Sequence, residues 1–297
     1  MINQRPSHHV TAGHLPAILW VLLSTFLWTV IFAAGKLSGG EIGAFQITFL
    51  RYVGGFSLLS GAVVAQGRLA QHRSARPSAH FARAVCGCGA AVAITWASTR
   101  MPLVDATAIG MLSGVLTVLL GVAVLNERLG RANGIAIFLA VVGVAFVMLG
   151  KGAFRSGLFL IPALVAFLSA AMFALEGLLI SVLGRAERPG TVMLHVSFFG
   201  LVLMGGPAWL EWRPLSWQAT LSCISLGPVG LIAQYCTIRG YRAAPLSVVA
   251  PIDYSWILFS ALLGAMFFGE IPGPSAWIGC TLIVSGGVVL ARAHQSS

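Results

Sequence analysis

The chain has 297 residues, of which 58% are hydrophobic and 9% charged, and its mean hydropathy is +0.91. Soluble domains carry about 25% charged residues, so this composition excludes an ordinary soluble protein and indicates lipid as the solvent. The net charge of +10 does not indicate nucleic acid, because the chain lacks a basic run with interleaved aromatics.

Ten apolar segments are long enough to be predicted as transmembrane helices, since a bilayer core about 30 Å thick needs about 20 apolar residues. The first is predicted to be a permanent helix and not a signal peptide, because only Arg5 precedes it. The third segment is the weakest candidate for a membrane span, because Arg83 must extend to the membrane interface. The segments are 16–35, 44–65, 82–99, 103–125, 132–149, 157–183, 191–210, 219–238, 245–268 and 275–291.

Arginine and lysine are distributed unequally between the two sides of this layout. Twelve of the 18 fall on one side and five on the other, and Arg51 lies inside the second segment. Cytoplasmic loops carry the excess of basic residues, so both termini are predicted to be cytoplasmic. The short connections leave no room for a separate soluble domain.

A shift of 143 residues aligns 102–149 with 245–292 at 12 identities in 48 positions. Matched pairs such as Pro102 with Pro245 and Glu127 with Glu270 are harder to obtain by chance than matched leucines. We therefore predict an all-α membrane protein of two five-helix repeats, residues 1–150 and 151–297. Because five is odd, the second repeat is inverted, which is the design of many secondary transporters. The alternative is a duplication that only made a stable bundle.

The stretch VVAPIDYSW places Asp253 within the ninth apolar segment. A charge facing lipid there would cost at least about 2.5 kcal/mol, so the carboxylate is expected to face the bundle interior or water. Asp253, Trp256 and Ser260 share one helix face, and Pro251 interrupts the helix before it. Asp253 either lines a cavity or forms a buried pair with an arginine, such as Arg51 or Arg239.

Glu176 and Arg51 are further candidates for proton or charge coupling. Glu176 shares a face of the sixth segment with Ser169 and Met172, and either couples protons or reaches the interface. Four residues give partly polar, aromatic faces that are predicted to line the cavity, although aromatic residues also anchor helices at interfaces. These are Trp28, Trp96, Gln234 and Tyr235. Glu127 and Glu270, which end their segments, are predicted to cap the next helix or to pair with a loop arginine.

The sequence lacks the motifs of several motor and enzyme classes. No GxxxxGK[ST], HExxH or GxSxG pattern and no histidine-rich cluster occurs, so neither a nucleotide-driven motor nor a familiar intramembrane hydrolase is indicated. All five cysteines lie in apolar runs and are interpreted as core residues, not as a disulfide framework. We expect no metal and no cofactor. Energy must then come from an ion gradient or from the substrate's own gradient, with Asp253 and Glu176 as the candidate proton carriers.

Two passages carry a resemblance to a known family: YRAAPLSVVAPIDYSWILFSALLGAMFFGE and TRMPLVDATAIGMLSGVLTVLLGVAVLNERLG. They resemble the fourth helices of the two halves in EamA-type members of the drug/metabolite transporter superfamily. Arg51, Tyr52 and Trp28 also resemble family positions, whereas Asn126 stands where the first copy usually has glycine. The resemblance implies a ten-helix bacterial inner-membrane carrier with cytoplasmic termini. Members are mostly exporters of amino acids and related metabolites, and the branch that exports aromatic amino acids is the nearest.

Taken together, these features predict an exporter of small zwitterionic metabolites, proton-coupled or facilitative, that works by alternating access. Asp253 would receive an ammonium group or a proton, and Arg51 a carboxylate. The alternatives are an importer of a sugar, vitamin or nucleoside-like metabolite, and a membrane-embedded enzyme acting on lipid or isoprenoid. The expected partners are a small molecule and the lipid bilayer, with no nucleic acid, and the protein is a monomer or a homodimer.

Overall fold

The structure is a computed structural model that describes residues 15–38, 41–67, 69–116, 120, 131–150, 160–243 and 252–293. Within these ranges all regular structure is helical, and no strand occurs. We number ten α-helices, with a short 3-10 turn at Leu69–His72. They are α1 Leu15–Leu37, α2 Ala44–Ala65, α3 Pro77–Ser98, α4 Leu103–Gly110, α5 Arg131–Gly150, α6 Leu160–Ala186, α7 Pro189–Leu210, α8 Trp217–Ala243, α9 Ser255–Phe268 and α10 Pro274–Ala293.

Six of these helices contain a stretch long and apolar enough to cross a membrane: α1, α2, α3, α6, α7 and α8. Shorter apolar helices occupy Leu103–Leu116, Ser255–Phe268 and Pro274–Gly286. The prediction of an all-helical protein with several membrane spans is therefore confirmed. The count of ten spans and the inversion of the second half stay predictions.

Small residues set how closely the helices approach. A Cβ on Gly143 of α5 would lie 2.7 Å from the Gly279 carbonyl of α10, and one on Gly279 would lie 2.5 Å from the Gly143 carbonyl. A Cβ on Gly227 of α8 would collide with the backbone of α2 at Gly55 and Arg51. Such close backbone contact is how helices associate where lipid removes the hydrophobic driving force.

One end of the bundle is held by an acidic residue that follows α9. Glu270 pairs with Lys36 at the end of α1 and accepts the Leu103 N–H of α4 at 3.0 Å. The predicted structural role of Glu270 is thus observed, but its partners differ from the expected ones. It caps α4 rather than the helix that follows it, and it pairs with a lysine of α1 rather than with a loop arginine. Glu127 lies outside the described residues.

The opposite end contains a cluster around Glu187, in the connection between α6 and α7. Its carboxylate accepts hydrogen bonds from Ser74 and from His80 Nε2 at 2.9 Å, and the His80 ring stacks on His195 at 4.7 Å. Partial burial raises the pKa of the Glu187 carboxyl, but the two hydrogen bonds outweigh it and hold the pKa below its ordinary value. Glu187 therefore stays ionised at neutral pH.

The five cysteines are all free thiols, and four of them, Cys88, Cys223, Cys236 and Cys280, are buried, while Cys86 is half-buried. The prediction that the cysteines are core residues is confirmed for these four buried cysteines. Buried thiols of this kind pack as small apolar groups.

Candidate functional site

An aromatic stack lies where α1, α6 and α9 meet. The rings of Trp28 and Phe32 are 6.2 Å apart with an interplanar angle of 22°, and those of Phe32 and Trp256 are 5.4 Å apart at 26°. Phe173 of α6 meets the Trp256 ring edge-on at 6.3 Å. Trp256 Nε1 is buried and has no hydrogen-bond partner among the described residues. Since buried indole N–H groups usually find one, this donor is available to a ligand.

Ser260 lies one helical turn beyond Trp256 and joins α9 to α4. It is fully buried, and its hydroxyl is 2.8 Å from that of Thr107, which also donates to the Leu103 carbonyl at 2.7 Å. Two residues before Thr107, Asp105 is also buried, with 1% of its surface exposed. Asp105 was not among the residues predicted from the sequence, although a carboxylate within the apolar segment 103–125 could have identified it as a candidate.

Arg51 of α2 borders the aromatic stack. The residue is 8% exposed, and its guanidinium carbon lies 4.7 Å from the centre of the Tyr52 ring and 5.8 Å from that of Trp28. Both distances are within cation–π range. The predicted candidates Arg51 and Trp28 are thus in contact.

Glu176 of α6 faces α3, and its side chain is 15% exposed. The residues that were predicted to share its face do so: Ser169 donates to the Ala90 carbonyl at 2.9 Å, and Met172 packs on Gly89. Glu176 itself lies 3.5 Å from Arg83 Nη2. Arg51 is also close enough to act electrostatically on the Glu176 carboxylate.

The expectation that Arg83 extends to the membrane interface is wrong. The residue is 1% exposed, because the small residues of α3 around it allow α6 to pack directly over the guanidinium. A buried arginine in a membrane helix is costly and marks a functional position more often than an exposed one does. Arg83 therefore joins the candidate site.

Trp96 lies between the stack and one end of the bundle. It packs against the same core cluster as Trp28 and Trp256, and it lines a cleft of about 380 Å³ with Thr95, Arg100, Arg213 and others. The Arg100 guanidinium lies 3.9 Å from the centre of the Trp96 ring. The cleft therefore carries both arginine side chains and an aromatic surface at this end of the bundle.

The remaining predicted residues lie further from the stack or in other settings. Tyr235 is 41% exposed and packs edge-on against Trp20, about two helical turns from Trp28, with Arg239 beside it. Gln234 and Asp253 are half-buried. A turn at Tyr254 separates Asp253 from α9, so the predicted uninterrupted helix face begins only at Ser255. Pro251 lies outside the described residues.

No group of three or more histidine, cysteine, aspartate or glutamate side chains that could hold a metal occurs in the described part of the chain. The candidate site is therefore built from arginine, carboxylate and aromatic groups. Such a set recognises charged ends and apolar bodies of a ligand by hydrogen bonds and stacking.

Two stretches of the chain, residues 15–149 and 160–292, match the model of the EamA-like transporter family. The pseudopaline exporter CntI of Pseudomonas aeruginosa is 26% identical over 283 residues, covering 94% of this chain and 96% of that protein. The riboflavin transporter of Rhizobium johnstonii is 28% identical over 225 residues, covering 75% of this chain and 73% of that one.

The S-adenosylmethionine uptake transporter of Rickettsia prowazekii is 22% identical over 289 residues, covering 96% of this chain and 95% of that protein. Among solved structures, one crystal structure aligns with a TM-score of 0.64 at 22% identity, covering 94% of this chain and 98% of its own. The folds of the two chains are therefore alike. The named relatives include an exporter and an uptake transporter.

Proposed function

Because this chain belongs to the EamA-like transporter family and is a membrane transporter, we propose that it exports small zwitterionic metabolites, above all amino acids. Export takes place across a bacterial inner membrane by alternating access between two oppositely oriented halves, residues 1–150 and 151–297. Both termini lie in the cytoplasm. The chain acts as a carrier rather than as an enzyme, in keeping with the transport functions for which its relatives are named.

The position of Arg51 beside the aromatic stack is the observation that carries this proposal. A buried guanidinium calls for an anionic partner, and its planar fork of N–H donors matches a carboxylate. Trp28, Phe32 and Trp256 offer flat apolar surfaces within reach of the same place. A ligand with a carboxylate and an aromatic or aliphatic side chain satisfies both parts, which favours aromatic amino acids. Asp253, in the turn before α9, is the proposed acceptor of a proton or ammonium group.

Uptake of a flat heterocyclic metabolite is the second candidate. Trp28 and Trp256, which are only partly buried, lie on either side of Phe32, and their indole rings are planar surfaces of the kind on which flat ligands stack. Two relatives are named for riboflavin transport and for S-adenosylmethionine uptake. For this second candidate, Arg51 binds a carbonyl oxygen of the ligand or an anionic group other than a phosphate.

Counterflow in proteoliposomes tests the binding site. We expect the wild-type protein to exchange labelled amino acids, and Arg51→Gln to raise the half-saturation concentration about tenfold or more, because the carboxylate loses its charged partner. Arg73→Gln is the matched control, since Arg73 is exposed in the connection between α2 and α3, and less than about a twofold change is expected there. Normally inserted Asp253→Asn and Asp253→Ala proteins that exchange at wild-type rates would show that Asp253 has no such role.

The direction of transport is tested in a bacterial host that overexpresses the chain. Resistance to toxic amino-acid analogues supports export, whereas sensitisation supports uptake. If the wild-type protein exchanges none of the 20 labelled amino acids but exchanges riboflavin, the second candidate replaces the first.

A further inference from the structure

The ion pair between Arg83 and Glu176 leaves most of the arginine's donors unused. Only Nη2 approaches the carboxylate, at 3.5 Å, which is long for a charge-assisted hydrogen bond of about 2.7–2.9 Å. Nε and Nη1 are buried and have no hydrogen-bond partner in the described ranges. Buried donors without acceptors are energetically costly. They therefore occur mainly where another group binds during function. This guanidinium can accept a further anionic ligand.

The Glu176 carboxylate lies directly against the backbone of α3. A Cβ on Gly87 of α3 would lie 2.8 Å from Glu176 Oε1, so glycine at this position keeps the backbone clear of the carboxylate. The Glu176 side chain is 15% exposed, whereas that of Arg83 is 1% exposed. The carboxylate is therefore the member of the pair that a proton or a cation reaches first.

The charges around the pair favour a ligand that carries both signs. Arg51 adds a second guanidinium nearby, because it lies 4.7 Å from the Tyr52 ring, which packs in one cluster with Cys88, the residue after the Gly87 that touches Glu176. A simple amine would be repelled by the two arginines, and a simple carboxylate by Glu176. A zwitterion places its negative end on the guanidinium groups and its positive end on the carboxylate. The other titratable groups near Glu176 on α2 and α3 are Tyr52, Cys86 and Cys88.

We propose that Arg83 and Glu176 form a zwitterion site, in which Arg83 binds the substrate carboxylate together with Arg51 and Glu176 binds the substrate ammonium group. This inference rests on the proposed function and deepens it, because it adds Arg83 to the carboxylate site and assigns the ammonium group, for which Asp253 was the first candidate, to Glu176. A proton competes with the ammonium group at Glu176. When substrate binds from one side, the Glu176 proton leaves to water on that side, and it is replaced from the other side after release, which is the order of events in an antiporter.

The test uses the full-length protein in proteoliposomes and the labelled amino acid, among the 20, that the wild type exchanges best. Half-saturation of counterflow is measured at pH 6 and pH 8. We expect the wild-type value to be higher at pH 6, because protonation of Glu176 excludes the ammonium group. For Glu176→Gln we expect a half-saturation concentration at pH 8 that is at least about tenfold above the wild-type value. The half-saturation concentration of this variant should be the same at pH 6 and pH 8.

Two further variants separate binding from a merely structural ion pair. Arg83→Gln/Glu176→Gln removes both charges at once, so it should insert and unfold thermally like the wild type, because no buried charge is left alone. We expect its half-saturation concentration still to be raised about tenfold or more. His80→Gln is the control for pH, since His80 lies one turn from Arg83 on α3 and histidine is the side-chain type that most often changes charge between pH 5 and 8. The pH dependence should persist in that variant.

Three outcomes overturn the inference. They are wild-type half-saturation in the charge-free double variant, a Glu176→Gln protein that keeps the pH dependence, and a wild-type protein without pH dependence between pH 6 and pH 8. In each of these the wild type still exchanges amino acids, so the proposed export function stands. A wild-type protein that exchanges none of the 20 amino acids instead contradicts the proposed function itself and the zwitterion site with it.

Discussion

Glu270 shows how a single carboxylate can hold three parts of this chain together. It pairs with Lys36 of α1 and caps α4 at Leu103, while Lys36 also donates to the Met101 carbonyl at 2.9 Å. A negative charge at the first turn of α4 is favoured by the helix dipole. The Lys36 ammonium also lies 5.2 Å from the centre of the Phe268 ring. The residue is therefore best explained as a structural lock at this end of the bundle.

We expect Glu270→Ala to lower the free energy of unfolding by about 2–3 kcal/mol, because it removes the ionic partner of Lys36 and the acceptor of the Leu103 N–H. Glu270→Gln keeps an acceptor and should cost about half as much. Thermal unfolding in detergent measures both. Glu41→Ala is the control, because Glu41 is an exposed carboxylate at the same end. Equal unfolding temperatures for the Glu270→Ala and Glu41→Ala proteins would contradict this explanation.

The polar residues within apolar segments were visible in the sequence, but their partners were not. Trp28, Arg51 and Glu176 were candidates from sequence, and the structure puts Arg51 over Trp28 and Glu176 beside Arg83. Arg83 was misjudged, because its position near the start of a segment suggested the interface. Only the covering by α6 explains its burial. Contacts between side chains on different helices are not encoded in local hydropathy.

At the scale of elements, the crossing of α2 and α8 depends on glycine. A Cβ on Gly54 would collide with the Ile224 carbonyl, and one on Gly227 would collide with the Gly55 nitrogen and the Arg51 carbonyl. The carbonyl of Arg51 therefore lies directly in this contact. The position of the Arg51 side chain beside Trp28 consequently depends on how closely α8 approaches.

We expect Gly227→Ala to push α2 away from α8, to lower the free energy of unfolding by about 1–3 kcal/mol and to reduce counterflow by displacing Arg51. Gly61→Ala is the matched control on α2, because a Cβ there meets nothing within 4 Å. That variant should be neutral or slightly stabilising, by up to about 1 kcal/mol, since alanine has the higher helix propensity. Unfolding temperature and counterflow are measured for both proteins. A Gly227→Ala protein that matches Gly61→Ala would show that the crossing tolerates a wider spacing.

Helix positions were predictable from sequence to within a few residues over most of the described chain. The predicted segment 44–65 coincides with α2, and 191–210 differs from α7 by two residues at its start. Helix α3 begins at Pro77, five residues before the predicted segment, because its first turn is polar and hydropathy does not register it. The shorter α9 was not foreseen, because the turn at Tyr254 divides a continuous apolar run.

For the whole molecule, the structure groups helix ends into two layers. Lys36, Glu270 and the Gln46–Arg213 contact lie at one end, whereas His80 and Glu187 lie at the other. This grouping agrees with a chain that crosses from side to side in successive helices. The basic residues in the sequence predict that the second end faces the cytoplasm.

We expect a green fluorescent protein fused after Ser297 to fluoresce in a bacterial host, because the C-terminus is predicted to be cytoplasmic. Alkaline phosphatase inserted after Trp212, in the connection between α7 and α8, should be active, because that connection is predicted to face the periplasm. The opposite pattern of the two reporters would show that the orientation is reversed.

The sequence by itself determined that this is a helical membrane protein of the transporter class, because in lipid every backbone polar group must be satisfied within a helix, and long apolar runs satisfy that condition locally. The sequence also identified the polar residues whose placement within the bilayer is energetically costly and is therefore expected to serve a function. Only the tertiary structure decided that Arg83 is buried against Glu176, that Arg51 lies over Trp28, and that Tyr235 stands apart from the aromatic stack. The physical reason is that these relations depend on helix rotation and close glycine contacts between segments distant in the chain.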